Sequence, residues 1–410
     1  MAMTTATAAL PTAADDDARR RRHRVNFILL GIGLVVLPFI AQYFGNAWVR
    51  ILDIALLYVL LALGLNVVVG YAGLLDLGYV AFYAVGAYMF GLLGSSQLTD
   101  TFESIKNAFP NGLHTPWWVV IPLGALLAGL AGVLLGAPTL KLRGDYLAIV
   151  TLGFGEIVRV FMNNLDAPVN ITNGPKGITG IDDMNIFGLN LGQTHSLLGL
   201  DIPKVTNYYY LFLVLALFSV LICWRLETSR IGRAWMAIRE DEVAAKAMGI
   251  NTRNLKLLAF GMGATFGGVS GAMFASFQGF ISPESFSLQE STMIVAMVVL
   301  GGLGHLPGVI VGALLLSALP EVLRYVAGPL QQMTDGRLDA SILRQFLIAV
   351  AMIGIMLSRP RGLWPTPEHG KEPAPEIGPP DPDNPAVPQR VTPQTSTVTN
   401  PVHGTGTRHV

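Results

Sequence analysis

Ten apolar runs of 13 to 21 residues recur along the chain, and polar segments separate most of them. A helix needs about 20 apolar residues to cross the hydrocarbon core of a bilayer. Backbone groups in lipid find no water to bind, so a spanning chain is confined to helices or to a closed barrel. Charged residues make up 13% of the sequence, against about 25% in soluble domains. The sequence therefore predicts an all-α integral membrane protein.

The runs define about ten transmembrane helices, some of them short or broken. The predicted spans are 25–40, 51–69, 74–93, 117–136, 146–161, 208–224, 257–277, 291–303, 306–319 and 342–357. The eighth and ninth are short and meet at a glycine-rich stretch, so one broken span is the alternative, giving nine spans and an external tail. We favour ten because Arg359 and Arg361 then lie in the cytoplasm, as the positive-inside rule requires.

A basic cluster at residues 19–24 closes the polar N-terminal segment 1–24 and orients the chain. Such a cluster before a short apolar run also describes a secretory signal peptide, but the positive-inside rule favours a first span with a cytoplasmic N-terminus. Alternation then makes 162–207 the largest external loop and places 225–256 in the cytoplasm. The external loop carries two Lys or Arg and the cytoplasmic one carries seven, which agrees with this orientation.

The ends of the chain differ from the transmembrane centre, 25–358. Twelve of the 25 prolines fall between residues 360 and 410. A segment with so few large apolar residues buries too little surface to offset the entropy of ordering it. We expect the C-terminal tail, 359–410, to be cytoplasmic and disordered.

Several function classes lack their motifs in this sequence. No phosphate-binding loop, nucleophile elbow or zinc-protease motif occurs, and Cys223 is the single cysteine. A formal net charge of zero creates no global field that would attract nucleic acid. We therefore expect no enzyme, no metal site, no cofactor and no nucleic-acid partner for this chain. Membrane lipid is its expected surroundings, and ATP-driven transport would need a motor on another chain.

The cytoplasmic loop 225–256, here called the polar segment, is predicted to form two short helices. Residues 231–238 place apolar side chains on one stripe at helical spacing. Asp241 suits a helix N-cap, Glu242 favours the first turn of the next helix, and Gly249 suits its C-terminal end. Ala244 and Ala245 would give this helix a face that a partner approaches closely. The alternative is an ordinary helical loop lying on the membrane.

Glycines at 64, 70, 73 and 78 predict a broken helix, since each weakens helix continuity by about 1 kcal/mol relative to Ala. Broken helices at membrane depth occur where they line a cavity. The polar groups there are Asn66 and Asp76. Asp76 either attracts a positively charged group, such as an ammonium, in such a cavity or caps the third span at the cytoplasmic boundary.

Glu156 and Arg159 lie three residues apart on one predicted helix face, so they can form an ion pair. Pairing lowers the cost of placing charges in a span. The pair is either a structural element near the outer end of the fifth span or a gate that opens when the pair breaks.

Five stretches together resemble one family. Residues 242–250 match E-x-A-A-x-x-x-G-I, which looks like the coupling loop of ATP-binding cassette importer permeases. The sequence around it is similar to that of the permease subunits of branched-chain amino acid importers of the LivM type. The other matching stretches are 62–78, 143–146 with 151–159, 172–178 and 299–304. The resemblance covers about residues 25–365.

The resemblance implies a multi-pass subunit of the bacterial cell inner membrane, and the positive-inside rule places both termini in the cytoplasm. The resemblance also implies three kinds of partner: a second permease, two ATP-binding cassette subunits that hold ATP and Mg, and an external substrate-binding protein. The implied coupling residues are Arg233, Arg239, Asp241, Glu242, Ala244, Ala245 and Gly249. The implied translocation path includes Asn66, Gly70, Gly73, Asp76, Gly78, Glu156 and Arg159.

The implied function is import of branched-chain amino acids. A permease for urea or short-chain amides of the same superfamily remains an alternative. So do an ion-coupled secondary transporter, which would need more acidic residues at mid-membrane, and a membrane anchor or receptor without transport activity.

Overall fold

The computed structural model is a helical membrane-type bundle with three short two-stranded ladders. It describes residues 29, 31–110, 112–140, 142, 144–186, 188–197, 200–333, 346, 349–350, 353–354, 357–358 and 362–364. The N-terminal segment 1–24 and all of the tail 359–410 except 362–364 lie outside these residues. So does most of the predicted span 342–357.

Thirteen helices are present in the described part of the chain. They are α1 (Gly31–Phe44), α2 (Asn46–Asn66), α3 (Val80–Leu93), α4 (Gln97–Thr101), α5 (Glu103–Ala108), α6 (Trp117–Thr139), α7 (Asp145–Asn163), α8 (Lys204–Glu227), α9 (Arg230–Glu240), α10 (Glu242–Ala247), α11 (Thr252–Gln278), α12 (Leu288–Gly301) and α13 (Leu306–Met333). The strands are β1 (Ile178–Thr179), β2 (Asn185–Ile186), β3 (Leu189–Asn190), β4 (His195–Leu197), β5 (Leu200–Ile202) and β6 (Phe280–Ile281).

Four helices are long and apolar enough to cross a membrane: α2 with the turn that follows it, α6, α8 and α11. Shorter apolar helices, including α1 and α3, accompany them. Large apolar side chains such as Leu126, Leu134, Val214 and Phe218 are exposed on α6 and α8. Such surfaces fit lipid or another membrane subunit. The predicted helical membrane fold is confirmed at this level.

The predicted break follows α2. One π-helical turn (Val67–Tyr71) extends α2, residues 73–78 then have no regular helix, and α3 begins at Val80. Gly73 has a φ of +69°, a conformation that only glycine adopts without strain. The break is therefore real, and it lies in the packed interior because Asn66, Gly70 and Asp76 are buried.

The loops sort to two ends of the bundle as the predicted alternation requires. Strand β1 in loop 162–207 pairs with β6, so Ile178 faces Ile281. The amide of Asp182 donates to Gly94 O at 2.7 Å, which brings the loop after α3 to the same end. The polar segment, with α9 and α10, lies at the opposite end, called here the α9 end.

Helices α12 and α13 form a hairpin whose turn lies at the α9 end. Gly312 of α13 lies against Met297 O of α12, and Gly301 lies against Gly308. The alternative of a single broken span across this region does not fit, because the two helices pack side by side, and the favoured count of ten spans stays a prediction. Leu363 then donates its amide to Leu300 O at 2.8 Å, so the chain returns to the same turn after α13.

Helix α11 occupies the centre of the bundle because its glycines admit neighbouring backbones. A Cβ placed at Gly86 of α3 would overlap the backbone of Gly268 of α11. Gly132 of α6 lies against Ala264 of α11, about one turn before Gly268. Small residues allow such close helix approach in membranes, and they hold the broken segment against α11.

The contact between Gly86 and Gly268 predicts a stability effect. Gly86→Val should lower the free energy of unfolding by about 1–3 kcal/mol, since overpacking forces the helices apart. Thermal unfolding in detergent, followed by circular dichroism, measures it. Gly153→Val is the matched control, because a Cβ at Gly153 meets nothing within 4 Å. Equal unfolding temperatures for the two variants would contradict this packing.

Candidate functional site

The polar segment forms the two predicted helices, and side chains cap both. Ser229 Oγ accepts the amide of Gly232 at 3.0 Å at the start of α9. Asp241 Oδ1 accepts the amides of Val243 and Ala244 at 2.8 and 3.1 Å at the start of α10. Gly249 has a φ of +82° just beyond the end of α10. The predicted capping of α10 by Asp241, with Gly249 at its end, is confirmed.

Glu242 joins α10 to the first turn of α11. Its carboxylate accepts hydrogen bonds from Lys256 Nζ at 2.7 Å and from Lys246 Nζ at 2.9 Å. The Lys256 ammonium, with a smaller effect from Lys246, holds the pKa of this carboxyl at about 2, below its usual 4.5. Lys256 is 9% exposed, so the pair fixes α10 at the foot of α11.

The exposed face of α10 differs from the predicted alanine face. Ala244 is exposed but Ala245 is buried, because Ala245 packs toward the bundle. Val243 and Met248 instead point outward, with 68% and 83% of their surfaces exposed. Ala245 therefore does not belong to the predicted exposed face, and the exposed large apolar side chains here are Val243 and Met248.

Arg239 connects the polar segment with the break after α2. Its Nη1 donates to Gly70 O at 2.5 Å. Its Cγ lies 2.9 Å from the position that a Cβ on Gly73 would take. A Cβ at Gly304 would come within 2.7 Å of Nη1. The guanidinium therefore fits between the break and the turn of the α12–α13 hairpin, where only glycines leave room.

Asn66 closes the same cluster from the other side. Its Oδ1 accepts the amide of Gly304 at 3.0 Å, across 238 residues of sequence. Asn66 is fully buried. We call the group of Asn66, Gly70, Gly73, Arg239 and Gly304 the arginine node. It joins α9, the break and the hairpin turn in one hydrogen-bonded unit.

Asp76 lies inside the bundle, 1% exposed. Residues 73–78 form a non-helical stretch, and Gly78 packs against Thr151 and Gly155 of α7. Asp76 Oδ1 accepts the amide of Gly78 at 2.9 Å, in the turn before α3. No described side chain caps the first turn of α3 itself, so the predicted cap by Asp76 is not formed. Whether Asp76 lies at the cytoplasmic boundary stays a prediction.

Glu156 and Arg159 form the predicted ion pair, at the end of the bundle opposite α9. Arg159 Nε donates to both carboxylate oxygens of Glu156 at 3.1 Å. Arg159 Nη1 also donates to Glu284 Oε1 at 3.0 Å, in the 3-10 turn before α12. This cluster therefore ties α7 to the loop before α12 and lies apart from the arginine node.

Several contacts of the site were not predicted from the sequence. Gly304 and Thr151 belong to matching stretches but had no assigned role, and Lys256 and Glu284 had none either. Each of these four contacts a residue more than ten positions away in the sequence, and a local pattern gives no signal for such a contact. Arg233 donates to Thr228 O at 3.0 Å within the polar segment, and its coupling role stays a prediction.

Comparisons with known proteins agree on one kind of protein. A family model described as "Branched-chain amino acid transport system / permease component" matches residues 48–356. The permease protein LivM of the high-affinity branched-chain amino acid transport system of Escherichia coli K12 is 38% identical over 361 residues. The match spans 85% of this chain and 76% of that relative. No solved structure matches the chain.

Two further relatives come from Salmonella typhimurium. LivM from this organism is 40% identical, over 85% of this chain and 76% of the relative. The permease protein LivH of the same kind of transport system is 25% identical over 63% of this chain and 79% of the relative.

The Glu242 ion pairs predict a pH-dependent effect. Because the pKa of Glu242 is lowered on folding, its pairs stabilise the fold above about pH 4.5 and lose that effect as pH falls toward 2. Glu242→Gln should therefore lower the free energy of unfolding at pH 7 by about 1–2 kcal/mol, after allowance for solvent screening.

Unfolding temperatures of the purified chain between pH 7 and pH 3 test this expectation. The difference between Glu242→Gln and the parent should stay constant down to about pH 5 and shrink below it. The control is Glu240→Gln, at an exposed position on α9. A Glu242→Gln variant as stable as the control at pH 7 would refute the stabilising role.

Proposed function

Because the chain belongs to the family of permease components of branched-chain amino acid transport systems, we propose that it is the permease subunit of an ATP-binding cassette importer for these amino acids. It provides part of the path through the cytoplasmic membrane. A second permease, related to LivH as this chain is to LivM, provides the rest. ATP and Mg bind to separate ATPase subunits.

The arginine node is the structural observation that carries the proposal. An importer must pass the movement of a cytoplasmic motor to the membrane path, and Arg239 joins the polar segment directly to the break after α2. Helix α10 offers Val243 and Met248 as an exposed apolar face for the ATPase. Capping at Asp241 and the Glu242 pairs make α10 rigid enough to transmit a push.

The opposite end of the bundle suits the external binding protein. Loop 162–207 contains two ladders of its own and pairs its strand β1 with β6, and the Glu156–Arg159–Glu284 cluster lies beside it. This cluster is only partly buried, with 67% of the Glu284 side chain exposed. A binding protein that engages Glu284 would act on the link between α7 and α12, which is the place for an outer gate.

Uptake measurements test the proposed substrate. Cells that lack their own branched-chain amino acid importer should recover uptake of labelled leucine when this chain is expressed with its second permease, ATPases and binding protein. Labelled urea, supplied under the same conditions, should not enter. Urea uptake without leucine uptake would transfer the chain to the urea and amide permeases. Leucine uptake by this chain alone, driven by an ion gradient without ATP, would make it a secondary transporter.

Arg239→Ala should separate ATPase binding from transport. The variant keeps the exposed α10 face but loses the hydrogen bond to Gly70 O, so motion of the polar segment reaches the break less effectively. We expect leucine transport per ATP hydrolysed to fall by about tenfold, as for loss of a hydrogen bond to a charged group. The reconstituted complex in proteoliposomes gives both rates.

Met248→Glu is the contrasting variant, since it places a charge on the exposed apolar face of α10. It should lose the ATPase subunits during co-purification, whereas Arg239→Ala should keep them. Transport per ATP at the parental level in Arg239→Ala would remove the node from the coupling route.

A further inference from the structure

The two carboxylate oxygens of Asp76 differ in their hydrogen bonding. Its Oδ1 accepts the Gly78 amide in the turn before α3, as described above. Its Oδ2 is buried and has no hydrogen-bond partner within the described part of the chain. An isolated buried carboxylate oxygen is costly unless a donor or a cation meets it. A hydrogen-bond donor or a cation bound at Asp76 Oδ2 would remove this cost.

The side chain borders a small cavity between α3, α6, α7 and α11. The cavity has room for about one water-sized group. Its polar rim consists of Asp76, Thr139 and Thr151, and three phenylalanines form much of the rest: Phe82, Phe154 and Phe260. A carboxylate among aromatic rings is the arrangement that holds an organic cation, since ring faces attract positive charge.

The number of acceptors fits a primary ammonium group. Such a group donates three hydrogen bonds. Thr139 Oγ1 donates to its own helix, to Leu135 O or Gly136 O, and keeps its lone pairs for another donor. Thr151 Oγ1 accepts the Leu77 amide at 3.0 Å and keeps one lone pair. With Asp76 Oδ2, these hydroxyls supply three acceptors.

A hard metal ion fits less well. Calcium takes 6–8 oxygen ligands and magnesium needs a near-octahedral set. The cavity offers one carboxylate oxygen and two hydroxyls, and apolar rings occupy the remaining directions. No group of three metal-ligating side chains occurs among the described residues.

We propose that Asp76 Oδ2, with Thr139 and Thr151, binds the α-ammonium group of the amino acid during its passage through the permease. The inference rests on the proposed function, because it assumes an amino acid as cargo. The cavity holds only the ammonium end in this conformation, so the rest of the amino acid needs the space that opens when the break moves. Asp76 lies in the break, three residues from Gly73, and Gly73 contacts Arg239. Motion at the arginine node therefore reaches the ammonium site directly.

Asp76→Asn separates the two roles of this residue. The side-chain amide oxygen still accepts the Gly78 amide and keeps the turn before α3, but the negative charge is lost. In proteoliposomes with the complete importer and leucine, we expect transport per ATP to fall by about tenfold or more. ATP hydrolysis stimulated by the binding protein should stay within about twofold of the parent, since nothing at the α9 end changes. Asp76→Glu keeps the charge and should retain more transport than Asp76→Asn.

Thr139→Val provides a second test that leaves the hydrogen bond between Asp76 and the Gly78 amide untouched. It should lower transport per ATP by several-fold and also decides the matter if Asp76→Asn does not assemble. Thr206→Val is its matched control, because Thr206 is an equally buried threonine on α8 whose hydroxyl has no partner among the described residues. The control should transport leucine at the parental rate.

The outcomes distinguish the two proposals. A parent complex that does not transport leucine overturns the proposed function. A parent that transports leucine, with Asp76→Asn transporting at the same rate per ATP, overturns the ammonium site and leaves the function standing. Parental transport by an assembled Thr139→Val overturns the role of the hydroxyl.

Discussion

Backbone hydrogen bonding at the break after α2 is the constraint on which the rest of the structure depends. Residues 73–78 leave the helix among packed helices, and all of them except Gly73 are at least partly buried, so most of their amides and carbonyls need partners within the protein. Side chains from distant elements supply the partners. Thr151 accepts the Leu77 amide, Ser291 donates to Leu77 O, and Arg239 donates to Gly70 O. The position of α7, α12 and α9 follows from these contacts.

Glycine makes this arrangement possible by bringing backbones close. Polar side chains as short as Thr151 and Ser291 reach the break only if their helices approach it without bulky residues between. Gly78 against α7 and Gly64 against α11 meet this condition. The same short distances leave little free volume in the core. A small cavity lined in part by Asp76, Thr139 and Thr151 lies beside the break, next to the Asp76 oxygen that has no hydrogen-bond partner among the described residues.

Hydropathy and capping chemistry predicted much of the fold, because both are local. The apolar run 117–136 became α6 (Trp117–Thr139), and the caps at Asp241 and Gly249 appeared where expected. Helix α11 begins earlier than predicted, since its first turn is polar but is held by Lys256 and Glu242. The arginine node was beyond reach. Arg239 and Gly70 are 169 residues apart, and no local pattern specifies that meeting.

The wide sequence spacing within the arginine node has a consequence for biogenesis. Asn66 belongs to the second predicted span and Gly70 follows directly after it, but Arg239 and Gly304 are synthesised much later. During translation Gly70 O lacks its Arg239 partner until residue 239 of the 410 has been made. A chain truncated before the α12–α13 hairpin never completes the node. The node can therefore close only after Gly304 has been made, while α13 still follows it in the chain.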